Sequence, residues 1–265
     1  MAMKTKNASV LLLLLLTGFV LQAQNNVWKN KQAAVTLTYD DALNVHIDKV
    51  APLLDSLGFK ATFYIIGSSP AFTKRIADWR RVAQHGHELG NHTLFHPCAG
   101  NKPGREWVQP DHDLAKYTIQ RMTDEIMMNQ ALLEATDGKK KRSMACPCGE
   151  TSIGDSSYLF KSKEYFVATR DGTPDAAAVN AFKPFNIEFI APSGQTGQEL
   201  IAAMKKAIDH KALLVIVFHG VGGDHSINVS QEAHRELLHF IKQHESQIWV
   251  APFMDVAEFM QGKAR

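Results

Sequence analysis

With 265 residues, 45% of them hydrophobic and 21% charged, the chain has an ordinary globular composition and the length for one sizeable core, so a single domain is expected. Its formal net charge is +2, and Lys4 and Lys6 at the N-terminus account for that excess. Without them the chain is neutral, which leaves no electrostatic case for nucleic acid or an anionic membrane surface as partner.

In chain order, Lys4 and Lys6 precede an unbroken apolar run over residues 10–16, and a small residue, Ala23, stands before Gln24. A basic start, a short apolar stretch and a small residue at the end predict a secretory signal peptide over residues 1–23. The run is shorter than the roughly 20 residues of a spanning helix, so no stable membrane insertion is expected after cleavage. Residues 24–265 then form the mature domain, secreted or periplasmic. Its three cysteines, Cys98, Cys146 and Cys148, would meet an oxidising compartment, which suits one disulfide and one leftover thiol. Cys-Pro-Cys is not the Cys-x-x-Cys pattern of metal or redox sites.

Beyond the signal, short β-type runs alternate with helix-period segments, the pattern of βα units around a parallel sheet or barrel. Strands are expected over residues 34–39, 61–66, 88–91, 143–146, 165–169, 187–190, 213–218 and 248–251. Helices are expected over 46–57, 71–83, 113–135, 197–209, 230–244 and 254–260. The first should end at Gly58 and the longest at Gly138. The longest should carry Ile119, Met122, Ile126, Met127 and Leu133 on a buried stripe. The Gly- and Pro-rich segment 99–110 reads as a long surface loop placed to wall a cleft.

Three stretches carry chemistry. The first strand runs straight into Asp40-Asp41, and carboxylates at the C-terminal end of a parallel strand lie where barrels keep their active sites. His92-Thr-Leu-Phe-His96 follows another strand end, and two His four residues apart can face the same way from a helical turn. With an Asp they would make three ligands for a zinc-class ion, leaving positions open for water and substrate. The apolar run 213–218 ends in His219, at a third strand end; a buried strand explains the run but not the histidine. His225, in the Gly-Gly-Asp-His loop just beyond, could line a cleft, although an exposed loop histidine is the commoner outcome. His46, His210, His234, His239 and His244 read as surface or packing residues.

Taken together, Thr38-Tyr39-Asp40-Asp41, His92-Thr93-Leu94-Phe95-His96 and Leu214-x-Ile216-x-x-His219 resemble motifs of the polysaccharide deacetylases, the NodB-homology domain of carbohydrate esterase family 4. The resemblance runs from about residue 33 to 259. It implies an α/β fold, a distorted (β/α)7-type barrel, and a zinc ion, or Co2+ or Ni2+, bound by Asp41, His92 and His96. It also implies Asp40 as general base, His219 as general acid, and an acetylated polysaccharide or oligosaccharide as substrate. Contacts to the oxyanion and substrate would fall to Cys148 and Tyr39. An O-acetyl esterase of xylan type and a catalytically silent carbohydrate-binding relative are the alternatives.

The chain departs from the family at the third motif. Where an Arg-x-Pro-Tyr-Gly is usual, Ala145-Cys146-Pro147-Cys148-Gly149 stands, so the Arg is missing. Arg170, at the end of the 165–169 run, is the expected replacement beside Asp40. If the second and third motifs converge, Cys98 can bridge Cys148, with Cys98–Cys146 as the competing pair.

Overall fold

The structure, a computed structural model, describes residues 28–159, 164–171 and 187–262. The segment read as a signal peptide lies outside them. Among the described residues no helix is long and apolar enough to cross a membrane.

The framework is a parallel sheet built from β1 (Ala33–Asp40), β2 (Thr62–Ile65), β3 (Glu88–Asn91), β4 (Met144–Ala145), a small hairpin of β5 (Ser152–Ile153) and β6 (Ser156–Ser157) outside it, then β7 (Thr169–Arg170) and β8 (Leu213–Phe218). A two-stranded pair, β9 (Gly220–Val221) with β10 (Asn228–Val229), follows, and β11 (Ile248–Val250) ends the series. β1 pairs with β8 along one edge; along the other it pairs with β11 over residues 33–35 and with β2 over residues 38–40. The order continues β2-β3-β4-β7, and Ile190 bridges to Ile216 on the far side of β8. The result is the expected distorted (β/α)7-type barrel.

Side chains alternate between two apolar layers, as strand geometry requires. Val35, Leu37 and Tyr39 pack outward with Leu214, Ile216 and Phe218 against the helices. Ala34, Leu213, Val215 and Val217 face inward with Ala168 and Phe189. The same period of two continues to the strand ends, so Asp40, His92, Arg170 and His219 all fall on the inward side.

The helices are α1 (Ala51–Leu57), α2 (Pro70–Thr73), α3 (Ile76–Gln84), α4 (Ile119–Asp137), α5 (Gly197–Asp209), α6 (Gln231–Gln243) and α7 (Phe253–Met260). Several differ from their expected spans for identifiable reasons. The 46–57 helix opens with a π-turn, His46–Val50, ahead of Pro52, whose ring nitrogen has no hydrogen to donate. It closes at Gly58 in the left-handed conformation, φ 75°, as expected. The 71–83 segment splits in two because the Trp79 indole N–H takes the Ala71 carbonyl at 3.0 Å, the acceptor a continuous helix would give to Arg75. The 113–135 segment begins as an isolated 3-10 turn capped by Asp113; α4 starts only after Thr118 caps it. Its buried face includes Glu125, Asn129 and Gln130 as well as Met122, Ile126 and Leu133, while Ile119 and Met127 are only partly buried. The strand expected at 165–169 is confined to β7, and 187–190 contributes one bridge.

Beneath the inward-facing strand ends lies a polar floor. Glu88 is buried, yet Oε1 accepts from the Ser143 N–H and hydroxyl, both at 2.7 Å, and Oε2 from Thr62 Oγ1 at 2.7 Å and the Met254 N–H at 3.0 Å. Four donors satisfy a carboxylate that would otherwise be costly to bury, and they tie three strands to the N-terminus of α7. Above it the Tyr64 ring lies across Gly90, where an added Cβ would come within 2.4 Å of the ring. Any side chain at position 90 would therefore push Tyr64 upward into the site.

α6 carries a buried histidine with a measurable consequence. His234 is 1% exposed, and its Nε2 shares a 2.7 Å hydrogen bond with the Tyr39 hydroxyl. Burial pushes the imidazole down to about 3, so it folds neutral. A histidine whose pKa is depressed on folding supports the fold above its unfolded value of about 6.5 and opposes it as pH falls from there toward the folded value. Between pH 7 and pH 5 this group alone should remove about 2 kcal/mol of stability. Urea unfolding at the two pH values should show His234→Gln losing about 2 kcal/mol less than the parent.

Candidate active site

The inward residues of four strand ends meet in a cavity of about 440 Å³. β1 supplies Asp40 at its last position and Asp41 just beyond. β3 leads into His92 and His96, β7 ends in Arg170, and His219 follows β8.

Asp41, His92 and His96 converge. Asp41 Oδ1 lies 3.5 Å from His92 Nε2 and 3.7 Å from His96 Nε2. These separations are long for hydrogen bonds, and Asp41 Oδ1 is buried with no hydrogen-bond partner. Ligand atoms that face one another across such a gap suit a shared cation better than one another. The three present one ligand atom each, all within 4.8 Å. His92 Nδ1 donates to the Ala145 carbonyl at 2.8 Å, so Nε2 is the ring nitrogen turned toward Asp41, where the two carboxylates raise its pKa against the opposing effect of burial. Burial, with His92 next to it, pushes His96 down to about 4 and keeps it neutral. Burial alone would raise the Asp41 carboxyl, but the adjacent His92 and His96 outweigh it and hold the group well below the carboxylate range. A neutral imidazole and an ionised carboxylate are the states that bind a zinc-class ion. A second group, His96 with Cys98 and Cys148, also has ligand spacing, but its two sulfurs are bonded to each other and are not thiolates.

The convergence does not come from a helical turn. Residues 92–96 form an irregular loop with Thr93 at φ 63° and His96 at φ 53°, and Asp41 and Ala42 are left-handed too, at φ 79° and 53°. Non-glycine residues in that region carry strain that surrounding contacts must offset. Those contacts are present: Asn91 Oδ1 accepts the Thr93 N–H at 2.8 Å and the Asn129 amide at 3.1 Å, while Gly67 and Ser68 donate to the Thr93 and Leu94 carbonyls at 3.1 and 2.9 Å. Asn129 of α4 therefore supports the ligand loop.

Asp40 stands beside this trio, 3.7 Å from His92 Nε2, and Arg170 Nη2 donates directly to its Oδ2. Both residues are 4% exposed. Burial pushes the Asp40 carboxyl up, but Arg170, His92 and His219 together outweigh it, and the group stays below its ordinary value. Asp40 Oδ1 is buried and unpartnered, free to accept a proton. The Arg170 guanidinium in turn lies 5.0 Å from the Tyr64 ring and 4.8 Å from that of Phe189, between two aromatic walls. Arg170 thus stands beside Asp40 and pairs with it.

His219 faces the two aspartates, and burial lowers its pKa. Its carbonyl is 2.8 Å from His46 Nε2, and His46 Nδ1 accepts the Leu43 N–H at 3.3 Å, so His46 braces the turn after β8. His225 is a residue the sequence left undecided: it lines the cavity, stacks on His219 at 5.0 Å and places Nε2 3.6 Å from Asp41 Oδ2. The Val45 N–H bonding Asp224 at 2.8 Å fixes that loop, a long-range contact no local pattern announces.

The third motif forms a 3-10 turn, Pro147–Gly149, with Cys148 at φ 55° and lining the cavity. Cys98 and Cys148 are disulfide-bonded, the pairing that ties the ligand loop to this turn, and Cys146 is a buried thiol pushed up to about 12 by burial. Tyr39 is a correction. Its side chain is fully buried on the outward face of β1, stacked on Phe63 and Phe218, and does not line the cavity. Adjacent strand residues face opposite ways, so Tyr39 and Asp40 cannot share a face. The 99–110 loop does wall the cleft, through Arg105 and Trp107.

The profile of the polysaccharide deacetylase family matches residues 28–162, which contain Asp40, Asp41, His92, His96 and Cys148 but not Arg170 or His219. A gellan lyase of a Bacillus species is 26% identical over 266 residues, covering 90% of this chain and 10% of that protein. A peptidoglycan-N-acetylglucosamine deacetylase of Bacillus cereus is 28% identical over 120 residues, covering 45% of this chain and 38% of the relative. The chain therefore spans well under half the length of these relatives. Among solved structures, a Mycobacterium smegmatis protein assigned as a polysaccharide deacetylase shares the fold, with a TM-score of 0.64 at 14% identity over 88% of this chain and 91% of that one. A profile match over half the length, together with the barrel and the disposition of its strand-end residues, establishes that the chain belongs to the polysaccharide deacetylase family.

Proposed function

We propose that this protein is a metal-dependent hydrolase that removes N-acetyl groups from the amino sugars of a polysaccharide or oligosaccharide, acting outside the cytoplasm after loss of residues 1–23. The observation that carries this reading is the buried, unpartnered Asp41 Oδ1 facing two imidazole nitrogens at 3.5 and 3.7 Å, beside a second carboxylate paired with Arg170. Asp41, His92 and His96 would hold Zn2+, Co2+ or Ni2+, which when bound supplies Lewis acidity at the acetyl carbonyl and acidifies water.

Asp40 takes the proton of the attacking water through its unpartnered Oδ1, while Arg170 keeps its carboxylate charged and oriented. Charge on the former carbonyl oxygen develops beside the Cys148 turn, which the disulfide holds in place. His219, on the opposite flank, protonates the departing amine, so the products are acetate and a free amino sugar. An ester would be cleaved by the same attack, and comparing acetate release from N-acetylated and O-acetylated oligosaccharides separates the two activities.

Three outcomes test the assignment. Asp41→Ala should lose both bound metal and turnover, as read by metal analysis and acetate release. Asp40→Asn should keep its metal and lose turnover roughly 100-fold, the scale of a missing general base; near-normal turnover would remove Asp40 from that role. Arg170→Met should lower turnover far more than Arg142→Met. The Arg142 guanidinium, 1% exposed, bonds the Leu89 carbonyl and Asp137, so its loss should appear in the melting temperature instead.

A further inference from the structure

The 99–110 loop brings to the cavity a cation with no use in the chemistry above. Arg105 and Trp107, both from the 99–110 loop, line the same cavity as Asp40 and His219. Trp107 is 55% exposed, and the Arg105 guanidinium carbon lies 5.8 Å from its ring centroid. Among the described residues no carboxylate lies within ion-pair distance of Arg105, and its Nη1 is buried without a hydrogen-bond partner. The neighbouring cations are already taken: Arg170 by Asp40, and Lys102 by Glu150. A partly buried guanidinium without a counter-ion is unfavourable, and a ligand anion with two oxygens offset that cost best.

We propose that Arg105 and Trp107 form a sugar subsite that selects an acidic polysaccharide, with Arg105 pairing the carboxylate of a uronic-acid residue next to the acetylated amino sugar and Trp107 stacking on its ring. A single unpaired guanidinium, lining the same cavity as Asp40 and Asp41, matches one negative charge; a dianionic phosphate would need a second free cation. An exposed indole at the rim presents a flat apolar face of the kind a pyranose covers, with a polar edge left in water. The cavity, about 440 Å³, is within the size range of small-ligand sites. This subsite rests on the deacetylase reading only for what lies beside it.

The test is binding without turnover. Zinc-loaded Asp40→Asn protein, with and without Arg105→Gln, is titrated calorimetrically with three tetrasaccharides: alternating N-acetylglucosamine and glucuronic acid, its carboxyl methyl ester, and the neutral N-acetylglucosamine tetramer. The acidic ligand should bind at least about tenfold more tightly than its ester, and Arg105→Gln should abolish that difference, on the scale of one lost charge-assisted hydrogen-bonded pair. Trp107→Ala should weaken all three ligands alike. Equal binding of acid and ester, an unchanged preference in Arg105→Gln, or no binding of any ligand overturns the subsite. Acetate release by the parent protein is measured in parallel. Selective binding without acetate release from any ligand would remove the deacetylase reading and leave the subsite standing, whereas release with no charge preference would do the reverse.

Discussion

Two carboxylates buried side by side at the end of one strand repel each other and lose hydration, and the surrounding structure is arranged to keep both charged. Asp40 is answered by Arg170 from four strands away in the sheet order, and Asp41 by the imidazoles of His92 and His96. Each partner needs its own support. Arg170 is held between Tyr64 and Phe189, and Tyr64 has room only because residue 90 has no side chain. The histidines depend on a loop with two left-handed residues, pinned by Asn91, Asn129 and the 67–68 backbone.

This explains why the inward face around β2, β3 and β4 carries polar groups, where barrels are often filled with branched apolar side chains and where β8 itself supplies Val215 and Val217. Glu88 at the floor, with four donors, and the Tyr64 hydroxyl on Ser143 at 2.9 Å form a satisfied lower tier. Asp40 Oδ1, Asp41 Oδ1 and His219 Nδ1 form an upper tier that is buried and unsatisfied. Buried polar groups are ordinarily paired, so the contrast between the tiers marks where ligand is expected. The disulfide between Cys98 and Cys148 joins the two loops that border this upper tier, and α6 and His46 brace it from behind β1 and β8.

Much of the arrangement was legible in the sequence because it rests on local rules. Apolar runs of strand length and helix-period segments in alternation give the barrel, and Gly197–Asp209 and Leu213–Phe218 fall where periodicity puts them. Strand ends carrying Asp40-Asp41, His92 and His219 are recognisable because ionisable residues there have little other reason to follow buried strands. Even the error over Tyr39 was correctable from alternation alone.

What the chain could not state locally is whatever depends on contacts between distant segments. The split of the 71–83 helix turns on one indole reaching back to a carbonyl, and the polar face of α4 makes sense only beside Asn91. The choice of Cys148 over Cys146 for Cys98, the placing of His225 over Asp41 and the meeting of Arg170 with Asp40 are decided by how the loops cross the barrel mouth. The sequence by itself determined which groups lie at that mouth, because side-chain direction along a strand has a period of two. The tertiary structure decided which of them touch, because left-handed turns, a disulfide spanning 50 residues and burial against opposing charge are properties of the folded barrel and of no single segment.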